Sequence, residues 1–320
     1  MTGGLVFRWF AVPAVIVAAI IGCAVLVVVL FGAISTEAQL SIDQLLTRLE
    51  SSTGERSLGG TLMPRPKESW QAALELSLRL NHKEKELTPD QVAQVAARLK
   101  KLIDAQFSDT EALSEDGRRR LHLLLRALGA TEQPVVIETI ARFVDDDRAE
   151  TRSEALMAIG SLTHTPGARS VLKKVVAAVD DADPVVRTVA CALLAGLATT
   201  ADEAAIASLT RASASDQREV RWNASLTLAR LGSPAGKLVL LDMLDRNYWQ
   251  NVVKISMTHP DGKVSEYPLS PGKVDAYLMQ SIEAAANLED AEIRERIQRL
   301  SEDDSPIVSD KARAVPAHRD

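Results

Sequence analysis

A pattern that recurs about every 35 residues constrains the fold of this chain more than any other feature. Arg152, Arg187 and Arg221 each open the sequence R-x-x-A, and each is followed ten residues later by a leucine. The arginines are 35 and 34 residues apart. A period of this length indicates stacked helical units, each too small to bury its own apolar face without its neighbours. The spacing therefore predicts an all-α fold, an α-solenoid built from helix pairs.

Helix boundaries follow from turn residues and apolar periodicity. Thr88 begins a capping box with Pro89 at the first helical position, and Asp183-Pro184 marks a later helix start. These signals predict an N-terminal helical hairpin over residues 67–106 and a repeat domain over residues 115–314. The repeat domain is expected to contain first helices at 116–129, 149–162, 184–197 and 217–231, second helices at 133–145, 167–180, 201–212 and 233–246, and a truncated last unit near 305–314.

The segments Asp183–Ala190 and Glu219–Ala224 resemble the first helix of a HEAT-like repeat, and the resemblance covers about residues 115–314. It implies a right-handed superhelix whose second helices line the concave side. HEAT-like repeats also occur in metal-dependent hydroxylases that use His-Glu pairs and in bilin lyases. No histidine of this chain is followed by glutamate, whereas bilin lyases have no short motif by which they could be excluded.

Individual positions of the pattern have expected roles. The alanine is small where two helices cross closely, and the apolar residue four positions later, such as Leu194, belongs to the core. The arginines have two interpretations. They form a ladder bonded to acidic loop residues of the neighbouring unit, or they form a row that binds a ligand.

The start of the chain predicts a membrane anchor. No charged residue occurs from Trp9 to Thr36, and about 20 helical residues are enough to cross a bilayer. We therefore expect a single transmembrane helix at residues 9–34, after an N-terminal flank of residues 1–8. Residues 35–66 are expected to form a juxtamembrane helix and a linker.

Two alternatives to an uncleaved anchor stay open at this stage. A cleaved signal peptide would have a shorter apolar region, and lipidation at Cys23 would normally be followed by a polar tether. Arg8 lies on the N-terminal side of the apolar run, and positive charge tends to stay in the cytoplasm. This favours a soluble domain on the non-cytoplasmic side of the membrane.

The repeat is interrupted at residues 247–272, where two β-like segments flank His259-Pro260-Asp261-Gly262. The turn residues predict a β-hairpin in which Ile255 lies opposite Tyr267. Aromatic residues also collect here. Either the hairpin covers Trp222, or the aromatic residues contact a partner, as aromatic residues often do in interfaces. The candidate partner-binding residues are Trp222, Tyr248, Trp249 and Tyr267.

Composition narrows the possible functions. The 37 basic and 43 acidic residues give a net charge of −6 and are interspersed, which argues against a nucleic-acid surface. Cys23 and Cys191 are not expected to form a disulfide. No catalytic residues, no cofactor motif and no metal-ligand set are apparent. The sequence therefore predicts a membrane-anchored HEAT-repeat scaffold that binds an unidentified protein partner. The alternative is an enzyme or enzyme subunit of the HEAT-like lyase type.

Overall fold

The computed structural model describes residues 40–51, 66–81, 87–108, 110, 113–258, 264–286 and 288–316. The flank predicted for residues 1–8 and the anchor predicted for residues 9–34 lie outside this part of the chain. Within it, no helix is both long enough and apolar enough to cross a membrane. This finding corrects the predicted localisation, a single-pass membrane protein with its soluble domain on the non-cytoplasmic side. The 18-residue helix Pro89–Gln106 illustrates the reason, because charged residues alternate with its buried stripe.

Helices make up most of the described chain. Three of the segments that follow a first helix contain 3-10 turns, at Pro134–Val136 and Arg142–Asp145 on either side of one helix, and at Ala168–Val171 and Pro234–Gly236. The α-helices in chain order are α1 (Ile42–Ser51), α2 (Pro66–Asn81), α3 (Pro89–Gln106), α4 (Glu115–Ala130), α5 (Ile137–Ala141), α6 (Ala149–Gly160), α7 (Leu172–Ala178), α8 (Pro184–Leu197), α9 (Glu203–Ala212), α10 (Arg218–Arg230), α11 (Lys237–Met243), α12 (Pro271–Ala285), α13 (Ala291–Leu300) and α14 (Pro306–Arg313).

These helices form the two layers of an α-solenoid. In the first layer, α2, α4, α6, α8, α10, α12 and α14 pack side by side in this order. In the second layer, each of α3, α5, α7, α9, α11 and α13 packs against the first-layer helix that follows it. Each unit thus buries its apolar face against the next, as the repeat period requires. The helix pairs agree with the sequence expectation, and the right-handed superhelix stays a prediction.

The N-terminal helix α1 is part of the packed body. Leu45, Leu46 and Leu49 are buried in the same apolar cluster as the repeats, and α1 packs against both α2 and α3. The sequence expectation had placed this segment with a juxtamembrane helix and linker. The leucines at positions 45, 46 and 49 lie on one helical face, and that face finds its partner in the helical hairpin that follows.

The core divides into two apolar clusters that meet at α10. The first extends from α1 to α10 and includes the fully buried Leu194. The second extends from α10 to α14. Ala224 and Leu228 of α10 belong to the first cluster, whereas Trp222 and Leu226 belong to the second. Helix α10 is therefore buried on two sides. This explains why α10 has an aromatic residue, Trp222, where the equivalent positions of the other repeats have the polar residues Arg119, Ser153 and Thr188.

A β-hairpin joins α11 to α12. A π-helical turn over Tyr248–Val252 leads into β1 (Lys254–Thr258), which pairs with β2 (Val264–Pro268) in an antiparallel register. Ile255 lies opposite Tyr267, as the turn residues predicted. The residues at the base of the hairpin, Val253 and Leu269, are buried in the second cluster. The hairpin is thus anchored to the core at its base.

Candidate functional site

Four aromatic side chains come together where α10, the π-helical turn and α12 meet. Trp222 belongs to α10, Tyr248 and Trp249 belong to the turn, and Tyr277 belongs to α12. The Trp249 and Tyr277 rings are stacked, with centroids 4.5 Å apart and an interplanar angle of 8°. The Trp222 ring lies 4.7 Å from Trp249 and 5.8 Å from Tyr277. We call these four residues the aromatic cluster.

Hydrogen bonds fix the two indole rings of the aromatic cluster. The Trp249 Nε1–H donates to the carbonyl oxygen of Met243 at 2.7 Å. The Trp222 Nε1–H donates to the hydroxyl oxygen of Tyr248 at 3.1 Å. Buried indole N–H groups require such partners. Both rings are therefore held in one orientation, and the tyrosine rings that rest on them are held with them.

The exposed part of the aromatic cluster consists of its tyrosines. Trp249 is fully buried and Trp222 is only 5 % exposed, so these two predicted contact residues have almost no area to offer a partner. Tyr248 and Tyr277 are half-buried. Tyr267, the fourth predicted contact residue, lies in β2 opposite Ile255, and its side chain is outside the described part of the structure. The tryptophans thus support a surface that the tyrosines present.

Two members of this surface are not among the predicted contact residues. Tyr277 lies beside the buried stripe of α12, one residue before the fully buried Leu278. Arg218 lies four residues before Trp222 on α10, and its guanidinium carbon is 5.7 Å from the Trp222 ring centroid, within cation–π range. The i, i+4 spacing of Arg218 and Trp222 was a signal that could have identified the second contact.

A ladder of arginines runs along the starts of the first-layer helices. The Nη1 group of Arg152 donates to the carbonyl oxygens of Asp146 and Asp147 at 2.9 and 3.1 Å. Arg187 makes the same pair of bonds to the loop before α8, at 2.8 and 3.0 Å. Arg221 repeats them to the loop before α10, at 2.6 and 2.9 Å. Each guanidinium is thereby fixed to the loop of its own unit.

The guanidinium edge formed by Nε and Nη2, which we call the second edge, connects neighbouring units in the first part of the ladder. Nε and Nη2 of Arg152 donate to the two carboxylate oxygens of Asp181, in the next loop, at 2.8 and 2.7 Å. Arg118, one unit earlier, has its Nη1 atom 3.6 Å from the Asp146 carboxylate. These contacts agree with the interpretation of the arginines as a structural ladder. A bidentate Arg–carboxylate pair is among the strongest polar contacts in proteins.

The ladder changes at Ser215. Asp146, Asp181 and Ser215 are equivalent, because the side chain of each accepts a hydrogen bond from the backbone N–H two residues later, at 3.0, 2.8 and 3.2 Å. Ser215 keeps this turn but has no carboxylate. Among the described residues, Nε and Nη2 of Arg187 therefore make no hydrogen bond to a carboxylate, in contrast to those of Arg152. Arg187 interacts with the Asp181 carboxylate through its charge, which lowers the pKa of Asp181.

In the last complete unit the positions of the two charges are exchanged: the arginine, Arg246, lies in the loop, and a carboxylate, that of Asp275, lies on the first-layer helix. Arg246 donates to both carboxylate oxygens of Asp303, at 2.7 and 2.6 Å, and to Asp275 at 2.6 Å. Ser305 donates to the other oxygen of Asp275 at 2.8 Å. Burial raises the pKa of Asp303, but the hydrogen bonds from Arg246 and from the Ser305 backbone, together with the charge of Arg246, hold that pKa below its usual range. This network joins the loop before the hairpin to α12 and to the loop before α14.

The same balance of effects applies to Arg152 and Asp181. Burial raises the pKa of the Asp181 carboxyl, while the hydrogen bonds from Arg152 and from the Asp183 backbone lower it, with a net pKa below the ordinary value. The pKa of Arg152 is raised in turn, chiefly by its bond to Asp181. Both groups are therefore charged near neutral pH, and this contact is an ion pair between adjacent repeats.

A cavity with polar groups lies at the other end of the repeat domain. It has a volume of about 530 Å³, and Arg79, Glu132 and His164 contribute its charged or ionisable groups. The His164 Nε2 atom is 3.4 Å from a carboxylate oxygen of Glu132. Glu132 has a positive φ of 54°, which at the other such positions in the described ranges is adopted by glycine, at Gly167 and Gly232. No group of three or more His, Cys, Asp or Glu residues in the described ranges could hold a metal ion.

Comparisons with known proteins agree with the helical repeat. The family model for HEAT repeats matches residues 172–256, from α7 to β1. This region contains Arg187 and Arg221, on which the sequence resemblance depends, so the helix pairs within residues 172–256 are HEAT-like repeats. A comparison with curated protein sequences gives no match.

Two solved structures cover most of the chain at low similarity. An engineered protein from a structural genomics consortium is 16 % identical, with a TM-score of 0.40, over 84 % of this chain and 93 % of its own. Human deoxyhypusine hydroxylase in complex with glycerol is 14 % identical, with a TM-score of 0.30, over 86 % of this chain and 95 % of its own. At such TM-scores the two structures carry no information about the function of this chain.

Proposed function

We propose that this HEAT-like repeat protein is a scaffold that binds another protein, and that Tyr248, Tyr277 and Arg218 form part of its contact surface. The observation that carries the proposal is the aromatic cluster. Tyrosine, tryptophan and arginine are the residues most enriched at the energetic centres of interfaces. Here two half-buried tyrosines rest on buried tryptophans whose N–H groups are satisfied.

Rigidity makes these tyrosines suitable as anchors. A tyrosine has only two side-chain torsions, and ordering it on binding costs little conformational entropy. The ring of Tyr277 is already stacked on Trp249, and the hydroxyl of Tyr248 is already bonded to Trp222. A partner that contacts them therefore meets a surface that is ordered before binding, which favours affinity.

The test compares two substitutions on the full-length protein. Tyr248→Ser removes an aromatic side chain from the proposed contact surface. Leu238→Ser is the matched control, because Leu238 is 80 % exposed in α11 and lies outside the aromatic cluster. Affinity capture followed by mass spectrometry is expected to recover the same protein with the unchanged chain and with the Leu238 variant, but not with the Tyr248 variant. Equal recovery by all three proteins would contradict the proposal.

An enzyme or enzyme subunit of the HEAT-like lyase type is the second candidate. The 530 Å³ cavity with Arg79, Glu132 and His164 favours it, because these groups converge on a space large enough for a small ligand. We expect a lyase of this type to bind a free bilin there, with a change in bilin absorbance that Glu132→Gln weakens. An unchanged bilin spectrum in the presence of the unaltered protein would exclude this candidate.

A further inference from the structure

The break in the arginine ladder leaves a place that fits a carboxylate from outside the chain. We propose that Arg187 and Arg221 receive acidic side chains of an extended segment of the partner protein. The inference rests on the proposed function and names the chemistry of the partner. Its starting point is the contrast between Arg152, whose second guanidinium edge holds a carboxylate, and Arg187, whose second edge holds none among the described residues.

Arg187 is prepared for such a contact. Its Nη1 group is fixed by the carbonyl oxygens of Asp181 and Ala182, in the same way as Nη1 of Arg152 is fixed by its own loop. Its Nε and Nη2 groups correspond to those that hold both oxygens of Asp181 in Arg152. Because the side chain is half-buried and already oriented, a carboxylate that binds here forms two charge-assisted hydrogen bonds at little further cost in side-chain entropy.

Arg221 offers a second contact of the same kind. Its Nη1 group is held by the loop before α10, and no carboxylate of the described chain bonds to it. Asp245, in the loop that follows, accepts a bond from the Asn247 backbone and pairs with Arg296 at 3.2 Å instead. The acidic residues near Arg221 are Asp216, whose carboxylate lies within 3.5 Å of Ser215 and Gln217, and Glu219, which is exposed.

The repeat geometry sets the spacing of the partner's acidic groups. Adjacent packed helices lie about 8–10 Å apart, so that the two guanidinium groups at equivalent places on α8 and α10 are separated by about one such step. A segment in the polyproline II conformation has three residues per turn and advances about 3.1 Å per residue. Acidic residues three positions apart then lie on the same side, about 9 Å apart, and match Arg187 and Arg221. Arg218, next to Arg221 on the same helix turn, continues this surface towards Trp222 and Tyr248.

The sharpest variant restores the missing carboxylate within the chain. Ser215→Asp introduces at this position the residue type found at 146 and 181, and the new carboxylate is expected to occupy the free edge of Arg187 as Asp181 occupies that of Arg152. Because the substitution completes the ladder, it is not expected to lower the thermal midpoint of the protein. Ser170→Asp is the matched control, since it adds the same charge at an exposed position in the turn before α7.

The probe is a fluorescein-labelled peptide of ten residues with glutamate at every third position and glycine or serine between. Its fluorescence anisotropy is titrated with the full-length protein at low salt, and a peptide with glutamine in place of glutamate is the reference. Binding of the glutamate peptide is expected to be about tenfold or more weaker for Ser215→Asp and for Arg187→Gln than for the unaltered protein and Ser170→Asp. Added salt is expected to weaken it further.

The inference would be overturned by no binding of the glutamate peptide by the unaltered protein, by equal binding of the glutamine peptide, or by equal binding by Ser215→Asp. Inorganic phosphate that stabilises the protein through Arg187 while the peptide does not bind would also overturn it and would indicate a small anion as the ligand. If the Tyr248-dependent partner is captured equally well by Ser215→Asp, the proposed function stands and the acidic contact fails. If peptide binding depends on Ser215 but capture does not depend on Tyr248, the acidic contact stands and the tyrosine surface fails.

Discussion

The close approach of α4 and α6 gives a sharp prediction for Gly129→Ala. A Cβ atom at Gly129 would lie 2.6 Å from the carbonyl oxygen of Ala158 and 3.0 Å from its Cα atom. Both are backbone atoms of the neighbouring repeat, so neither can turn aside as a flexible side chain could. The two helices must separate by several tenths of an ångström for the methyl group to fit, and this opens the packing between two units.

The cost follows from two opposing effects. Overpacking of a close interface costs about 1–3 kcal/mol, whereas replacing glycine by alanine within a helix returns about 0.5–1 kcal/mol. The two effects leave a net cost of about 0–2.5 kcal/mol, and we expect Gly129→Ala to lower the free energy of unfolding by about 1 kcal/mol. Gly160→Ala is the control. Gly160 lies at the end of the next first-layer helix, and a Cβ atom there would meet only Leu193 Cδ1, at 4.0 Å. The substitution Gly160→Ala should therefore leave the protein equally stable or slightly more stable.

Urea denaturation followed by circular dichroism measures both variants against the unaltered protein. The expected order of midpoints places Gly129→Ala lowest, and the unaltered protein at or just below Gly160→Ala. If Gly129→Ala were as stable as Gly160→Ala, the helices could not be in contact at this point, and the side-by-side packing of the first layer would be refuted.

Further predictions concern the core, pH and thiol chemistry. Leu194→Ala should lower the free energy of unfolding by about 2–5 kcal/mol, because Leu194 is fully buried between repeats; a loss below about 0.5 kcal/mol in a urea titration would mean that the repeat register is wrong. Burial lowers the pKa of His122 below its ordinary value, so that its contribution to stability is present above about pH 6.5 and is lost as the pH falls below that value. His122→Gln should therefore flatten the dependence of stability on pH below about pH 6.5, and an unchanged slope would contradict this. Burial also raises the pKa of Cys191 to about 12, so that in a Cys23→Ser background a thiol reagent should react only after unfolding.

The repeated parts of the structure were visible in the sequence because each unit makes the same contacts. A residue at one position of the pattern has the same neighbours in every unit, so that period, turn residues and apolar spacing together predict the helix pairs. The hairpin followed from turn chemistry, which is local. The extent of α10 burial could not be predicted in this way, because it depends on a second apolar cluster contributed by α12 to α14.

The candidate site depends on contacts that sequence spacing does not encode. Trp222, Tyr248 and Trp249 could be grouped because aromatic residues collect where the repeat is interrupted and because Trp222 stands where other repeats have a polar residue. The division into buried tryptophans and half-buried tyrosines requires the packed structure. The stacking of Tyr277 on Trp249 joins residues of different elements. The role of Ser215 follows from its equivalence to Asp181, whose carboxylate holds Arg152 in the structure. A serine in a loop has no sequence signal that would indicate this role.

Hydrogen–deuterium exchange of the protein with and without its captured partner tests the central claim most directly. If the chain is a HEAT-like scaffold that uses the aromatic cluster and the end of the arginine ladder, the partner should slow exchange at residues 184–190, 216–224 and 245–253, and at the start of α12. Slowed exchange confined to residues 87–92, 130–134 and 164–166, around the cavity at the other end of the repeats, would contradict the account.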